Sequence, residues 1–166
     1  MKTHGRSTRW LVMALAIVFI NTGLLTQPLP NFSGKWVPIP GRAQPSFLPA
    51  GAGLTIKQDS KTIVVQQEKG LARTYRLDSE PTQHEEKESD VTHTVTARAS
   101  WVGTKLTITE ARQGWKRERT YFFDNGLQTE LSITSATTLL HTRNGALTVS
   151  TIGPSTRVYR KGTAQF

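Results

Sequence analysis

Apolar and polar residues alternate with a period of two along most of the chain from Gly53 onward. In residues 91–101, for example, Val95, Ala97 and Trp101 share one side, and threonines dominate the other. Such alternation is typical of strands with one buried face. Similar runs recur up to residue 160, with residues 127–133, 137–141, 147–149 and 157–160 as four separate strands, and no segment after residue 26 has helical periodicity. The pattern predicts an all-β protein with roughly ten strands.

The breaks between these runs indicate hairpins. Asn125-Gly126 and Asn144-Gly145 favour two-residue turns because both residues accept a positive φ, and Gly103 marks a further turn. Strands at this spacing form an antiparallel meander, which closes as a small barrel or packs as a sandwich. Residues 78–90 (DSEPTQHEEKESD) are polar and acidic, and we expect them to form a mobile loop.

Residues 1–26 have a different pattern. A basic, polar stretch precedes the unbroken apolar run Trp10–Ile20, an order typical of a secretory signal peptide. The run is shorter than the roughly 20 residues of a spanning helix, yet no Ala-x-Ala cleavage site follows it. Two alternatives remain: a cleaved signal, which we prefer, or an uncleaved N-terminal apolar helix that serves as an anchor. Both predict a periplasmic or secreted globular part.

Residues 27–52 form a Pro/Gly-rich extended segment that holds six of the eight prolines. Proline removes a backbone donor and restricts its neighbour, so we expect irregular chain here. Phe32–Val37 is the strand candidate within it, and residues 53–166 make up the predicted barrel. The length fits one domain. Because the chain has no cysteine, that domain is held together by packing rather than by disulfides.

The net charge of +9 reflects 21 basic and 12 acidic residues. Without the three basic residues of the leader, 18 basic and 12 acidic residues leave +6. That excess attracts anionic surfaces such as those of a cell envelope. The bases are spread along the strands without a basic helix or run, which argues against nucleic acid as a partner.

Candidate catalytic and metal-binding residues are sparse. Cysteine nucleophiles are absent, and no serine elbow, phosphate loop or dinucleotide fingerprint occurs. His84, Glu86 and His93 could meet across a loop–strand junction, but their spacing is not that of a metal site. The carboxylates on predicted strands are Glu110, Glu118 and Glu130. Exposed positions on the strands account for these three carboxylates as well as a catalytic acid–base pair does. The sequence thus predicts no enzyme, no metal and no cofactor.

Arginines share strand faces with aromatic residues. One face of residues 115–123 contains Trp115, Arg117, Arg119, Tyr121 and Phe123. Arg73 likewise shares a face with Tyr75 and Leu77. Inside a barrel, these faces would suit a ligand with an apolar body and an anionic head. Alternatively, the arginines face water and Phe122 fills the core. We favour this second orientation because arginine is seldom buried without a partner.

Two short motifs lie at the ends of the β region. Phe32-Ser33-Gly34-Lys35-Trp36 has the form F-x-G-x-W, and residues 156–161 read T-R-V-Y-R-K. The first resembles the opening strand of fatty-acid-binding proteins and lipocalins, and the second resembles the last strand of fatty-acid-binding proteins. Residues 97–133, with the turn W-V-G-T-K-L, are similar to the same strand series. A group of small exported bacterial proteins of unassigned function shows a similar F-S-G-x-W start and Y-x-K end.

The resemblance implies a calycin-like β-barrel that binds a small apolar or amphipathic anionic ligand. It implies Arg157 and Tyr159 as carboxylate-binding residues, with Arg117 and Arg119 as further candidates. Fatty-acid-binding proteins insert a helical lid after the first strand, whereas the corresponding stretch here is rich in Pro and Gly. If the first and last strands pair, Trp36 lies near Arg157 or Arg160, where a guanidinium can stack on the indole. We expect that contact to plug the barrel's end. The alternative function is a ligand-free structural or interaction protein of the cell envelope.

Overall fold

The computed structural model describes residues 28–42, 52–124, 128–143 and 146–162. The predicted N-terminal apolar helix and, within the Pro/Gly-rich segment, residues 27 and 43–51 lie outside these residues. The described chain forms ten strands: β1 Gly34–Pro38, β2 Leu54–Gln58, β3 Thr62–Gln67, β4 Arg73–Arg76, β5 Thr82–Glu88, β6 Val91–Val102, β7 Lys105–Arg112, β8 Trp115–Phe123, β9 Glu130–Arg143 and β10 Ala146–Lys161. No helix in these four ranges is long and apolar enough to cross a membrane.

All ten strands belong to one antiparallel sheet that curls into a nearly closed barrel. The strand order is β4-β3-β2-β1-β10-β9-β8-β7-β6-β5. All strands that are neighbours in sequence pair with each other except β4 and β5, and β1 pairs in addition with β10. Strand β1 pairs with β10, with Trp36 opposite Lys161, as the closed-barrel alternative required. Strands β4 and β5 are the two ends of the sheet. They meet at a seam where side chains, rather than a backbone ladder, make the contacts.

The antiparallel order gives the barrel two ends. The turns β3–β4, β5–β6, β7–β8 and β9–β10 lie at one end, which we call the upper end. The turns β2–β3, β4–β5, β6–β7 and β8–β9 lie at the lower end. The short turn at Gly103 belongs to the lower end and has φ +59°, which confirms the hairpin predicted there. Asn125-Gly126 and Asn144-Gly145 lie outside the described residues.

Aromatic side chains fill the lower half of the barrel. Phe32, which precedes β1, is fully buried, and its ring centroid lies 5.9 Å from that of Trp101 and 4.9 Å from that of Phe123. Trp36 is also buried, and its indole N–H donates to the Phe32 carbonyl at 2.8 Å. The F-x-G-x-W motif therefore supplies two rings of one plug, which closes the lower end by aromatic packing.

Three predicted boundaries were wrong, for the same physical reason. Residues 78–90 contain strand β5 (Thr82–Glu88) rather than a loop throughout. The separate runs predicted near residues 131 and 139 form one strand, β9, and the runs near 148 and 158 form β10. In each case polar residues occupy the inward side or the exposed part of a strand, so hydrophobic alternation gives no signal there.

Candidate functional site

The upper half of the barrel contains a group of charged side chains in place of an apolar core. Its members, which we call the ion cluster, are Arg73, Tyr75, Glu86, Glu110, Arg117 and Arg119. They come from four strands: β4, β5, β7 and β8. Successive side chains of a strand point to opposite faces of the sheet, so every second side chain of these strands points inward. The cluster crosses the seam between β4 and β5 and ties the two ends of the sheet together.

Glu110 is the centre of the ion cluster and is completely buried. Its Oε1 accepts hydrogen bonds from the Tyr75 hydroxyl at 2.6 Å and from Arg119 at 2.8 Å. Its Oε2 accepts from Nε of Arg117 at 2.8 Å and from a terminal nitrogen of the same guanidinium at 2.5 Å. Arg73 approaches Oε1 at 3.3 Å. Both carboxylate oxygens are therefore held by charged donors, which is the condition for burying a charge.

A second carboxylate, Glu86, completes the cluster from β5. Glu86 forms a short ion pair with Arg73 across the seam, and Arg117 lies 3.7 Å from it. Tyr75 and His84 face each other across the same seam with ring centroids 6.3 Å apart. Three guanidinium groups thus share two carboxylates, and the ion cluster carries one excess positive charge.

The surroundings of Glu110 favour its ionised form. Burial alone raises the pKa of Glu110, but the guanidinium groups of Arg119 and Arg117 and the hydrogen bond from Tyr75 outweigh burial. Together they lower the pKa from 4.5 to about 2. Glu110 is therefore a fixed negative charge at neutral pH and does not have the raised pKa of a general acid.

The neighbours of Glu110 are held in one protonation state as well. Burial raises the pKa of Tyr75, which keeps its hydroxyl protonated and donating to Glu110. Burial also raises the pKa of Tyr121. The pKa of His84 is lowered, first by burial and then by the charge of Arg73. His84 lies 3.9 Å from Glu110, and neither of its ring nitrogens has a hydrogen-bond partner among the described residues.

The structure corrects the predicted orientation of the arginines. Arg117 and Arg119 point into the barrel, and Arg119 is only 7% exposed. Phe122, predicted to fill the core, lies on the outer face with the ammonium group of Lys105 4.7 Å from its ring centre. The prediction failed because it assumed that no partner would neutralise the arginines. Glu110 is that partner. It follows Leu106 and Ile108 at every second position of β7, and this spacing could have predicted that Glu110 lies on the same buried face.

Arg157 and Tyr159, which the resemblance implied as ligand-binding residues, are both buried on β10. Burial raises the pKa of Tyr159, while the charge of Arg157 and a hydrogen bond from it act in the opposite direction. Arg119 and Tyr121 also influence the pKa of Tyr159, so this pair belongs to the same polar interior as the ion cluster.

The barrel-end contact at Trp36 involves a different cation from the one expected. The ammonium group of Lys161 lies 5.8 Å from the centre of the Trp36 ring, and these two residues are register partners between β1 and β10. Arg160, one of the two arginines expected to stack on Trp36, is exposed and points outward. Neighbouring residues of a strand face opposite sides, so Arg160 and Lys161 cannot both reach the Trp36 ring.

A cavity of about 130 Å³ adjoins the ion cluster at the upper end. Its wall contains the polar side chains of Arg73, Tyr75, Arg117 and Arg119. Its rim is formed by the β3–β4 turn and contains Leu71, which is 83% exposed. In the described part of the chain, Arg157 and Tyr159 do not line this cavity. Larger hollows, of about 300 and 420 Å³, lie beside β1 and at the lower end and have no cluster of charges.

The remaining candidate residues do not converge. His93 faces Glu88 at 4.0 Å near the β5–β6 turn, away from Glu110. Glu118 and Glu130 pair with surface cations, Lys116 at 3.8 Å and Arg42 at 2.9 Å. Within the described ranges, no three His, Asp or Glu side chains lie close enough together to hold a metal ion.

The fold of this chain is similar to that of several solved structures. A secretory abundant heat soluble protein from Ramazzottius varieornatus matches with a TM-score of 0.51 and 12% identity, over 78% of this chain and 94% of its own. Secretory abundant heat soluble protein 4 from the same organism matches with a TM-score of 0.53 and 15% identity, over 82% and 99%.

A mutant of the fluorescent protein UnaG matches with a TM-score of 0.53 and 20% identity, over 80% of this chain and 96% of its own. No protein-family model and no curated protein sequence matches the chain. At these identities the matches establish the fold alone. The described part of the chain is a nearly closed, ten-stranded antiparallel β-barrel, and this fold is similar to that of the three solved structures.

Proposed function

We propose that the chain is an exported, non-enzymatic binding barrel that receives a small anionic or amphipathic ligand at the ion cluster. The observation that carries this proposal is the cavity of about 130 Å³, whose lining includes three arginines of the ion cluster and Tyr75. Guanidinium groups in a low-dielectric wall bind carboxylates and phosphates with charge-assisted hydrogen bonds. The basic, then apolar leader at residues 1–26 supports export to the periplasm or beyond.

The charge balance of the ion cluster supports an anionic ligand. Glu110 and Glu86 neutralise only two of the three guanidinium groups. In addition, Nε of Arg119 is buried and has no hydrogen-bond partner among the described residues. A buried donor without a partner costs about 1–3 kcal/mol, so an acceptor that reaches it gains that free energy on binding.

The size of the cavity limits the buried part of the ligand to a compact head group. A cavity of about 150 Å³ holds a molecule of benzene's dimensions, and drug-sized ligands need roughly 300 Å³ or more. The apolar tail of an amphipathic ligand would therefore extend past the rim and lie against Leu71, which is exposed there. In the lower half, the buried rings of Phe32, Trp36 and Tyr121 occupy the interior of the barrel.

Calorimetric titration of the purified chain with carboxylates of increasing length, from acetate to octanoate, tests the proposal. We expect binding to strengthen with each methylene that reaches the rim, and Arg73→Gln to weaken it about tenfold or more. Arg73 is 26% exposed, so its loss is compatible with folding. The matched control is Arg76→Gln on the same strand, since Arg76 faces outward and pairs with Asp78. Equal binding by both variants would contradict the proposal.

A second candidate function is a ligand-free interaction protein of the cell envelope. Two observations favour it: Glu110 already supplies the arginines with a carboxylate, and aromatic rings fill the lower half of the barrel. Its partners would be anionic polymers or headgroups attracted by the basic surface, and binding would weaken as salt rises. This function would be supported if the calorimetric titrations with carboxylates release or absorb no heat and the chain binds anionic vesicles in a salt-sensitive way.

A further inference from the structure

Strand β10 has an exposed edge in the upper half of the barrel. Its partner β1 covers only residues 159–161, and one more hydrogen bond joins Ile39 N–H to the Val158 carbonyl at 3.0 Å. Beyond that point β10 continues upward as the second arm of a long hairpin with β9. Within the described ranges, no strand pairs with the other side of residues 146–152.

The backbone groups on that edge can be identified from the register. Val149 lies opposite Leu140, whose N–H donates away from β10 to the Gly114 carbonyl at 2.9 Å. Opposed residues of an antiparallel ladder either exchange both hydrogen bonds or none. The N–H and C=O of Val149 therefore point away from β9, and by alternation so do those of Leu147 and Thr151. These three residues present a row of donors and acceptors at the open side.

The side chains on this edge are uncharged and partly apolar. No charged residue occurs between Arg143 and Arg157, although the chain contains 21 basic residues. Leu147 and Val149 are 67% and 59% exposed on the outer face, and Leu140 beside them is 43% exposed. The other two sheet ends, β4 and β5, are rich in charge and contact each other. Charges are the usual protection of an edge strand, and this edge has none.

We propose that residues 146–152 pair antiparallel with the same residues of a second copy of this chain. A two-fold axis at Val149 sets Val149 against its own copy and Leu147 against Thr151, so the outward-pointing backbone groups of both strands meet. Each Val149 is already flanked by Leu140 of its own hairpin. The pairing thus joins the exposed apolar side chains of the two copies into one row, and no like charges face each other in it.

Sedimentation velocity of the full chain over a range of concentrations tests this proposal. We expect a monomer–dimer equilibrium, and Val149→Lys should raise the dissociation constant at least tenfold because two ammonium groups then meet at the axis. The matched control is Val102→Lys, which adds the same charge at an exposed position on the lower end. It should leave the equilibrium unchanged.

Amide hydrogen exchange tests whether residues 146–152, rather than another surface of the chain, form the dimer contact. In the dimer we expect slow exchange at Val149, and in Val149→Lys we expect fast exchange at the flanking amides of Leu147 and Thr151. A chain that stays monomeric at all concentrations overturns the proposal, and so does a dimer that Val149→Lys leaves intact. A monomer with a protected Val149 amide also overturns it, because another part of the chain would then cover the edge.

Discussion

Replacing Glu110 by glutamine removes the central negative charge of the ion cluster while keeping the shape of the side chain. Three guanidinium groups then face the single carboxylate of Glu86. Arg119 cannot turn toward water, since its side chain is 8% exposed. The amide can still accept from Tyr75, but its NH₂ group faces the guanidinium donors of Arg117. We therefore expect a large loss of stability.

Two estimates of that loss agree. Removing one partner of a buried ion pair costs about 3–5 kcal/mol, because the other charge stays buried. Independently, a pKa held at about 2 rather than 4.5 means that the folded protein favours the ionised carboxylate by about 3 kcal/mol. Glu110→Gln should thus lower the free energy of unfolding by about 3 kcal/mol, a large share of the stability of a single domain.

Urea unfolding followed by tryptophan fluorescence measures this loss. The matched control is Glu118→Gln, which removes the same charge from an exposed position 3.8 Å from Lys116 and should change stability by less than about 0.5 kcal/mol. A loss below about 1 kcal/mol in Glu110→Gln would refute the assignment of Glu110 as the counter-ion of the three arginines.

Chemical rescue separates the ionic role of Glu110 from simple packing. In Glu110→Ala the missing carboxylate leaves space beside Arg117 and Arg119 that formate or acetate can fill. A ligand that binds only the folded state stabilises it in proportion to the logarithm of its concentration. We expect acetate to raise the melting temperature of Glu110→Ala more than chloride does at equal ionic strength. Identical effects of the two salts would contradict the ionic role.

Two further predictions concern acid stability and the aromatic plug. Because the folded-state pKa of Glu110 is depressed, its contribution is complete above pH 4.5 and is lost as the pH falls toward 2. Thermal unfolding across that range should show a larger loss in the native chain than in Glu110→Gln, which keeps only the contributions of the other carboxylates with lowered pKa values, Asp59, Asp78 and Glu88. Phe32→Ala removes a fully buried ring between Trp101 and Phe123 and should cost about 3–5 kcal/mol in urea unfolding, whereas Leu29→Ala, at an exposed position, should cost little.

The sequence predicted the fold class and the approximate number of strands correctly, although some boundaries were wrong. Strand β5 was missed, while β9 and β10 were each predicted as two shorter strands. One missed strand and two divided strands still leave the predicted number close to the observed ten. The reason is the same in all three strands: period-two alternation reveals only strands whose inner face is apolar. His84 and Glu86 give β5 a polar inner face, so its alternation contains no hydrophobic signal.

The sequence predicted some residues of the ion cluster but not how they are arranged in space. Arg117 and Arg119 were recognised as residues of a mixed aromatic face, yet their orientation depends on whether a counter-ion lies opposite. That counter-ion, Glu110, is on the adjacent strand, while Arg73 and Glu86 come from the two ends of the sheet. Sequence spacing does not show which side chains meet across a seam without backbone pairing.

The sequence by itself determined the all-β architecture and the hairpin turn at Gly103, because these follow from local alternation and turn chemistry. Only the tertiary structure decided which face lies inside. Closure of the barrel brings β4 beside β5, and that approach gathers three arginines around Glu110. The energy of a buried charge depends on partners that are distant in sequence, so only the folded chain determines where the ion cluster forms.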